Sequence, residues 1–289
     1  MSAQAAMPVG ADALGGTLTI GSDMTVRRLG FGAMRLCGPG VWGEPTDPTA
    51  AKRVLARAVE LGTTLIDTAD AYGPDVNERL IAETLYPYPQ GLVIATKGGL
   101  TRPRRGAWDR DGRPEHLRAA CEGSLKLLRL ERIDLYQLHA PDPRVPFEDS
   151  VGALADLQKA GKIRHVGLSN VSVEQLRRAR GIVPIVSVQN RYNLGDRASD
   201  DVLAECERAG IAFLPWYPLA SGQHALGSKA LGRTVQRHGA TPAQIAIAWL
   251  LARSPVMVPI PGTSSVAHLE ENVAAAQVML SEEEMSELA

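Results

Sequence analysis

The fold is decided by residues 64–97, TLIDTADAYGPDVNERLIAETLYPYPQGLVIATK. Two short apolar runs in this stretch, TLIDTA (64–69) and LVIATK (92–97), predict strands, and the amphipathic pattern at 76–85 predicts a helix between them. Strands joined through a helix are expected to be parallel neighbours, because a parallel pair needs a long crossover connection. The stretch therefore predicts one β-α-β unit.

The same alternation continues along the chain and predicts eight β-α units. Eight units favour a closed (β/α)8 TIM barrel, an α/β fold, over an open doubly wound sheet. No GxGxxG motif follows the first strand, so the usual Rossmann fingerprint is missing. The predicted strands are 29–34, 64–69, 92–97, 133–138, 163–168, 185–190, 211–216 and 256–261, and the predicted helices are 48–61, 76–85, 114–129, 147–160, 173–180, 199–209, 242–252 and 266–276.

An N-terminal hairpin precedes the first unit. Apolar and polar residues alternate on either side of Gly21-Ser22-Asp23, which is typical of a β-hairpin with a glycine-containing turn. We expect this hairpin to cap the bottom of the barrel. We also expect residues 1–12 to form a flexible tail and residues 13–289 to form a single domain.

Composition argues against several classes of function. The chain of 289 residues carries 31 basic and 32 acidic side chains, so it has no broad electrostatic reason to bind nucleic acid or an anionic membrane. Cys37, Cys121 and Cys206 are widely spaced and form no metal-ligand pattern. We therefore expect no metal and no membrane span, a reducing, cytoplasmic setting, and a small-molecule partner.

Polar side chains stand where several strands should end, which is the active-site end of such a barrel. Asp67 and Lys97 follow apolar runs, and each buried charge there needs a partner. Tyr72 lies five residues beyond Asp67, and a cation near a phenol lowers its pKa toward a usable range. His139 could assist at a substrate oxygen. The set predicts proton transfer, although each residue taken singly could be a helix cap, an ion-pair partner or a packing side chain.

A proton at a carbonyl oxygen is half of a reduction, and the other half needs a hydride source. Asn170 and Gln189 could hold a carboxamide, and Trp216 offers a flat face for an aromatic ring. The segment IPGTSSVAHLEEN (260–272) combines a glycine-containing turn, serines and a helix N-terminus, which together suit an anion. These features predict a nicotinamide dinucleotide lying across the barrel mouth.

At this point the chain resembles the aldo-keto reductase superfamily over nearly its whole length. The resemblance implies a catalytic tetrad of Asp67, Tyr72, Lys97 and His139, with Tyr72 as the general acid in reduction, and NADP(H) as the cofactor with NAD(H) not excluded. The motifs that carry it are LIDTADAYG (65–73), VIATKGG (93–99), IDLYQLHAPDP (133–143), GKIRHVGLSN (161–170), VSVQNRYN (186–193) and the segment 260–272.

The resemblance also implies a set of binding residues. Nicotinamide contacts are expected from Ser169, Asn170, Gln189 and Trp216, and ribose contacts from Gly32, Ala33 and Met34. Further cofactor contacts are expected from Asp67, Pro218, Leu219, Ser221, Pro261, Gly262, Thr263, Ser264, Ser265, His268, Glu271 and Asn272. For the substrate we expect Arg35, Trp42, Trp108 and Tyr192 beside Tyr72 and His139, with Arg191 and Asn193 as further candidates.

Within the superfamily, GAMRLCGPGVWG (32–43), LYPYP (85–89) and FLPWYPLASG (213–222) resemble a branch of bacterial pyridoxal reductases. Pyridoxal or a biosynthetic carbonyl compound is therefore an expected substrate. Where many members place Lys and Arg against the NADP 2′-phosphate, this chain has Gly262 and His268, which weakens the expectation of NADPH. The C-terminal loop that often closes the pocket is nearly absent, so we expect an open pocket.

Two alternative functions, and the role of the arginines in one loop, are not decided by the sequence. A nucleotide-sensing or scaffold protein could use the same fold without turnover, and a non-redox enzyme could use the barrel without a nicotinamide cofactor. In the loop TRPRRGAWDRDGRPE (101–115), one of Arg102, Arg104 and Arg105 could pair with an acidic or phosphorylated substrate group, or all three could be surface charges.

Overall fold

The structure is a computed structural model that describes residues 13–220 and 229–288. Its strands in chain order are β1 (Thr17–Ile20), β2 (Met24–Arg27), β3 (Phe31–Gly32), β4 (Leu65–Asp67), β5 (Val93–Gly98), β6 (Leu100–Thr101), β7 (Asp109–Arg110), β8 (Ile133–Leu138), β9 (Ile163–Ser169), β10 (Ile185–Gln189) and β11 (Ala212–Phe213).

Seven of these strands form one parallel sheet in the order β11-β10-β9-β8-β5-β4-β3. Consecutive strands of this sheet are neighbours, as the β-α-β alternation predicts. The predicted strands 29–34 and 211–216 are shortened to the two residues of β3 and of β11. The antiparallel pairs β1–β2 and β6–β7 lie outside this sheet, and the second pair was not predicted.

The eighth predicted strand, 256–261, is not a regular strand, but its backbone closes the barrel. Phe213 N donates to Val256 O and Val258 N donates to Phe213 O, each at 2.8 Å, which joins the segment to β11. Gly30 N donates to Pro259 O at 2.9 Å, which joins it to β3. Pro259 and Pro261 have no N–H to donate, so a continuous ladder cannot form here. The prediction of a strand was wrong in this sense, although the predicted barrel closure is present.

Helices follow most of the strands. The eight predicted helices are present, with the last ending in a short 3-10 helix at Ala275–Gln277. Two helices were missed, namely those at 229–238 and 282–287. The observed bounds are α1 (Pro48–Glu60), α2 (Val76–Leu85), α3 (Pro114–Leu128), α4 (Phe147–Lys159), α5 (Val173–Arg180), α6 (Asp200–Ala209), α7 (Lys229–His238), α8 (Pro242–Arg253), α9 (Val266–Ala274) and α10 (Glu282–Glu287).

The N-terminal hairpin closes the amino-terminal end of the barrel, as predicted. Ile20, Met24 and Val26 of β1–β2 form one buried apolar cluster with residues that begin the strands, including Leu65 and Val93. This leaves the carboxyl ends of the strands as the end where a site can form.

No helix within residues 13–220 and 229–288 is long and apolar enough to cross a membrane. The predicted tail at 1–12 lies outside the described residues, and the division into a tail and one domain stays a prediction.

Candidate active site

Lys97 is the centre of a buried cluster at the carboxyl ends of β4 and β5. Its Nζ donates to Asp67 Oδ2 at 2.7 Å, to the carbonyl oxygen of Thr68 at 2.8 Å and to Tyr72 Oη at 3.2 Å. The strand register explains the pairing. Asp67 lies beside Ala95, and the side chain of Lys97, two residues after Ala95, points to the same side of the sheet as that of Ala95. All three donors of the ammonium group are therefore used.

The second carboxylate oxygen of Asp67 is held from across the barrel. Gln189 Nε2 donates to Asp67 Oδ1 at 2.7 Å, and Gln137 Nε2 lies 3.4 Å from the same oxygen. Gln137 was not predicted as a site residue, although a glutamine inside the apolar run IDLYQL was a visible signal. These bonds satisfy the carboxylate in the barrel interior, where an unpaired charge would be costly.

Burial and charge fix the protonation states of the cluster. Burial raises the pKa of Tyr72, and Lys97 opposes this rise without cancelling it, so the phenol is protonated at neutral pH. Burial lowers the pKa of Lys97, but Asp67 and Tyr72 together raise it above its usual value, which keeps the ammonium charged. The expectation that Lys97 would bring the pKa of Tyr72 toward neutrality is thus corrected, because burial outweighs the cation.

His139 is a buried, neutral imidazole beside Tyr72. Burial, with a smaller contribution from Lys97, lowers its pKa well below the usual value. The ring centroids of His139 and Tyr72 lie 5.8 Å apart at an interplanar angle of 80°. Its Nδ1 is buried without a partner, so the N–H of the neutral ring is best assigned to Nε2, the nitrogen that can face the cavity. His139 is therefore arranged as a hydrogen-bond donor.

The predicted nicotinamide-binding residues form one hydrogen-bonded chain. Ser169 Oγ donates to Gln189 O at 2.7 Å, and Asn170 Nδ2 lies 3.0 Å from both Ser169 Oγ and His139 O. Trp216 Nε1 donates to Asn170 Oδ1 at 3.0 Å. Asn170 has a φ of 59°, in the left-handed region that asparagine tolerates better than most residues. Because the Gln189 amide already donates to Asp67, its Oε1 is the atom left to accept from a ligand.

A cavity of about 920 Å³ extends from this cluster across the barrel mouth. Most of the predicted cofactor residues and several predicted substrate residues line it. Those on its wall are Gly32, Met34, Arg35, Asp67, Tyr72, Trp108, His139, Ser169, Asn170, Gln189, Trp216, Pro218, Leu219, Gly262, Thr263, His268, Glu271 and Asn272. Lining residues that were not predicted are Leu100, Tyr217, Thr241, Pro242, Ala243, Ala246 and Ile260.

Two glycines let the first strand approach the closing segment beside this cavity. A Cβ on Gly32 would lie 2.6 Å from Ile260 O, and a Cβ on Gly262 would lie 2.5 Å from Gly32 O. Only glycine fits this contact, because a side chain would push the two backbones apart. Gly32, Ile260 and Gly262 all line the cavity.

The far end of the cavity is built from the start of α9. Ser265 caps this helix by accepting from His268 N, and Thr263 Oγ1 accepts from Ser265 N at 3.1 Å. Glu271 Oε1 accepts from Thr241 Oγ1 at 2.5 Å, which ties α9 to the start of α8. Thr241 caps α8 through a capping box with Gln244, and it lines the cavity although the sequence analysis did not predict it as a site residue.

Several predicted residues lie off the cavity wall. Lys97 lies behind Tyr72, and Ala33, Pro261 and Ser265 are not among the lining residues. Ser264 lines a second cavity of about 420 Å³ that shares Met34 and Arg35 with the first. Ser221 lies outside the described residues.

Tyr192 was predicted to contact substrate, and the structure places it in the core. Its ring is stacked on Trp249 with centroids 5.9 Å apart, it contacts Phe213 edge to face, and its hydroxyl donates to Asp200 at 2.6 Å. Tyr192 lies three residues past the end of β10, where the strand alternation no longer fixes which way a side chain points, so its direction could not be predicted from the sequence. Its neighbour Arg191 forms an ion pair with Asp196, with Nε 2.8 Å from Oδ2.

The arginine-rich loop differs from the prediction at one position. Arg102 is buried, and its guanidinium donates to the carbonyl oxygens of Gly40, Val41, Ala71 and Ala107. It is therefore not free to pair with a substrate anion. Trp42, another predicted substrate contact, lies beside this guanidinium and off the main cavity wall. Asn193, a further candidate, donates to Tyr217 O.

The comparison with known sequences decides the family. A sequence profile described as the aldo/keto reductase family matches residues 28–289. The chain belongs to this family. It is 50% identical over 273 residues to an uncharacterized oxidoreductase of Schizosaccharomyces pombe, covering 94% of this chain and 89% of the relative. It is 45% identical over 278 residues to the pyridoxine 4-dehydrogenase of Escherichia coli, covering 94% and 96%.

Solved structures agree with this assignment. A thermostable aldo-keto reductase in complex with the inhibitor epalrestat superposes with a TM-score of 0.83 at 31% identity, covering 94% of this chain and 98% of that chain. An aldo-keto reductase from Klebsiella pneumoniae in complex with NADPH gives a TM-score of 0.78 at 25% identity, covering 94% and 93%. The predicted family, its α/β barrel, its class as an oxidoreductase acting on alcohol and carbonyl groups, and the resemblance to a pyridoxine 4-dehydrogenase are thereby confirmed.

Proposed function

We propose that this aldo/keto reductase catalyses reversible, NADPH-dependent reduction of an aldehyde or ketone, with Tyr72 as the general acid and base. The observation that carries the proposal is the bonding of Lys97 to both Asp67 and Tyr72 beside a neutral His139. This cluster opens on a cavity that continues to the start of α9. Relatives named as a pyridoxine 4-dehydrogenase and as an NADPH complex support the choice of substrate class and cofactor.

The residues present fit a nicotinamide dinucleotide. The cavity joins an amide-rich end at Asn170 and Gln189 to Thr263 and to His268 in the first turn of α9, which matches the carboxamide and phosphate ends of such a cofactor. Trp216 offers its ring face between these ends, held by its bond to Asn170. We propose that these residues hold the dinucleotide.

A bound NADPH would supply the hydride that reduces the carbonyl carbon. Tyr72 then donates the proton from its Oη to the carbonyl oxygen, which completes an alcohol. Lys97, at 3.2 Å, stabilises the phenolate that remains, and Asp67 keeps the ammonium in place. His139 donates a hydrogen bond from Nε2 to the same carbonyl oxygen and so orients it. In the oxidation direction Tyr72 accepts the proton instead.

Arg35 is better placed for the cofactor than for the substrate. It is exposed, lines both cavities, and makes no hydrogen bond or ion pair with the part of the chain that the structure describes. A Cβ on Gly262 would lie only 3.6 Å from Arg35 Cγ, so this arginine stands next to the segment that leads to α9. We propose that Arg35 supplies a cation for the cofactor phosphates in this chain, which has Gly262 and His268 where many members of the family place Lys and Arg.

The test is binding of NADPH and NADH to the purified protein by calorimetry, followed by turnover of pyridoxal and a panel of small aldehydes and ketones. The proposal expects tighter binding of NADPH, a preference reduced by Arg35→Ala, and steady-state oxidation of NADPH. Turnover of other carbonyls but not pyridoxal would reject the pyridoxal assignment alone. Oxidation of bound NADPH only once per molecule would favour a sensor, and absence of binding would overturn the proposal.

A further inference from the structure

One guanidinium group joins the three loops that carry Trp42, Tyr72 and Trp108. Nε of Arg102 donates to Ala107 O at 2.7 Å, and Nη1 donates to Val41 O at 2.9 Å and to Ala71 O at 3.3 Å. Each of these carbonyl groups belongs to the residue that immediately precedes one of the three aromatic residues. Nη2 adds a fourth bond, to Gly40 O at 3.1 Å.

The aromatic rings themselves also meet the guanidinium. The Arg102 guanidinium carbon lies 3.7 Å from the Trp108 ring centroid and 5.5 Å from that of Trp42. The Trp108 ring in turn meets Tyr72 edge to face, with centroids 6.3 Å apart. Trp108 is 40% exposed and lines the cavity, and the Arg102 guanidinium lies against its ring, so we expect its position to depend on Arg102.

The charge of Arg102 is not used for an ion pair. Although only 8% of this residue is exposed, no carboxylate lies within ion-pair distance of it among residues 13–220 and 229–288. Four of its five N–H donors bond to backbone carbonyls instead. A planar fork with fixed donors can reach four carbonyls on three loops, whereas the three donors of a lysine radiate from one atom.

We propose that Arg102 is a positioning residue that sets the substrate-side wall of the active site by fixing Tyr72 and Trp108 relative to each other. The proposal rests on the proposed function for its kinetic part only. It differs from a role as a ligand of anionic substrates, because the guanidinium is already bound to the protein.

The test compares Arg102→Lys with Arg110→Lys, which makes the same change at an exposed position of the same loop. For the first variant we expect kcat/KM to fall by between about 10-fold and 100-fold, equally for neutral 4-nitrobenzaldehyde and anionic 4-carboxybenzaldehyde. NADPH affinity should stay within about twofold in both variants. Amide hydrogen exchange should be faster at residues 38–44, 70–74 and 105–109 together in Arg102→Lys, and unchanged in Arg110→Lys.

A second variant protects the test against misfolding. In Arg102→Ala, added guanidinium at low concentration should restore activity and slow the exchange of the three loops, and methylammonium should do neither.

Each remaining result has one meaning. A loss confined to 4-carboxybenzaldehyde would overturn the proposal in favour of a substrate ligand. Exchange in Arg102→Lys equal to that of the unaltered protein would overturn it outright. If the unaltered protein reduces no aldehyde, the proposed function fails, and the exchange comparison still decides whether Arg102 anchors the loops.

Discussion

The indole Nε1 of Trp216 donates a hydrogen bond of 3.0 Å to Oδ1 of Asn170, so the ring that closes one side of the cavity is fixed by a residue at the end of β9, two strands away from β11 in the sheet. Asn170 uses its other amide atom to hold His139 through the backbone carbonyl at 3.0 Å. The ring expected to cover the nicotinamide and the donor expected to hold the substrate oxygen are thus linked through one side chain.

Trp216→Phe should keep an aromatic face and lose this bond. We expect NADPH affinity to fall by about threefold to tenfold, because the smaller ring is no longer fixed and stacks less well. Calorimetry measures this without relying on tryptophan fluorescence. As a control, Trp108→Phe on the substrate side should raise KM for the aldehyde and leave NADPH affinity unchanged. Equal NADPH affinity in Trp216→Phe would show that the ring does not contact the cofactor.

Lys97→Met should destabilise the fold as well as abolish turnover. The change leaves the buried Asp67 carboxylate without its cation, and breaking a buried pair in this way costs about 3–5 kcal/mol. The double variant Asp67→Asn/Lys97→Met removes both charges and should recover part of that loss. Urea unfolding of Lys97→Met, Asp67→Asn and the double variant measures the coupling free energy between the two side chains. If the two single effects simply add, the pair is not coupled as the structure indicates.

The pH dependence of carbonyl reduction should be flat across the range where an ordinary histidine titrates. The pKa of His139 is lowered well below its usual value and the pKa of Tyr72 is raised, so both are in the active protonation state near neutrality. We expect kcat/KM to stay level between about pH 6 and pH 9 and to fall only in more alkaline solution. An inflection near the ordinary histidine pKa would contradict the neutral assignment of His139.

Glu78 on α2 should make the protein less stable as pH rises. Burial raises its pKa to about 7, and its Oε2 has no partner, while Thr96 donates to Oε1 at 2.6 Å. The folded state therefore holds a proton that the unfolded chain has already lost, and between the usual pKa and about 7 stability falls by up to about 1.4 kcal/mol per pH unit from this group.

Glu78→Gln removes this titration. Its stability relative to the unaltered protein should improve as the pH is raised from about 5 to about 8, as measured by urea unfolding at each pH. The exposed Glu131→Gln serves as the control and should show no such trend. A constant difference between Glu78→Gln and the unaltered protein would mean that Glu78 is ionised throughout.

The sequence was most informative where periodicity and residue type agreed. Alternating strands and helices place Asp67 and Lys97 at adjacent strand ends, and chemistry requires two buried charges to pair, so both the barrel and the centre of the site could be predicted. The closing segment 256–261 was predicted as a strand from its apolar residues, but Pro259 and Pro261 limit the backbone bonds that it can make.

Side-chain direction and backbone contacts could not be predicted in the same way. Tyr192 follows a strand of the site, yet it points into the helix layer against Trp249. Arg102 has the sequence context of a surface cation. Its hydrogen bonds go to backbone carbonyl oxygens, which every residue type has, so the sequence does not indicate these partners. The amphipathic α7 was missed because the sequence between 217 and 228 has no apolar run that predicts a strand, so no additional β-α unit was counted there.

The central claim is that Tyr72 transfers the proton. Tyr72→Phe keeps the ring between His139 and Trp108 and removes only the hydroxyl. In a stopped-flow experiment with excess NADPH and 4-nitrobenzaldehyde, we expect the rate of NADPH oxidation to fall by about 100-fold to 10,000-fold, with NADPH affinity unchanged. A rate within about tenfold of the unaltered protein would contradict the claim that Tyr72 is the general acid.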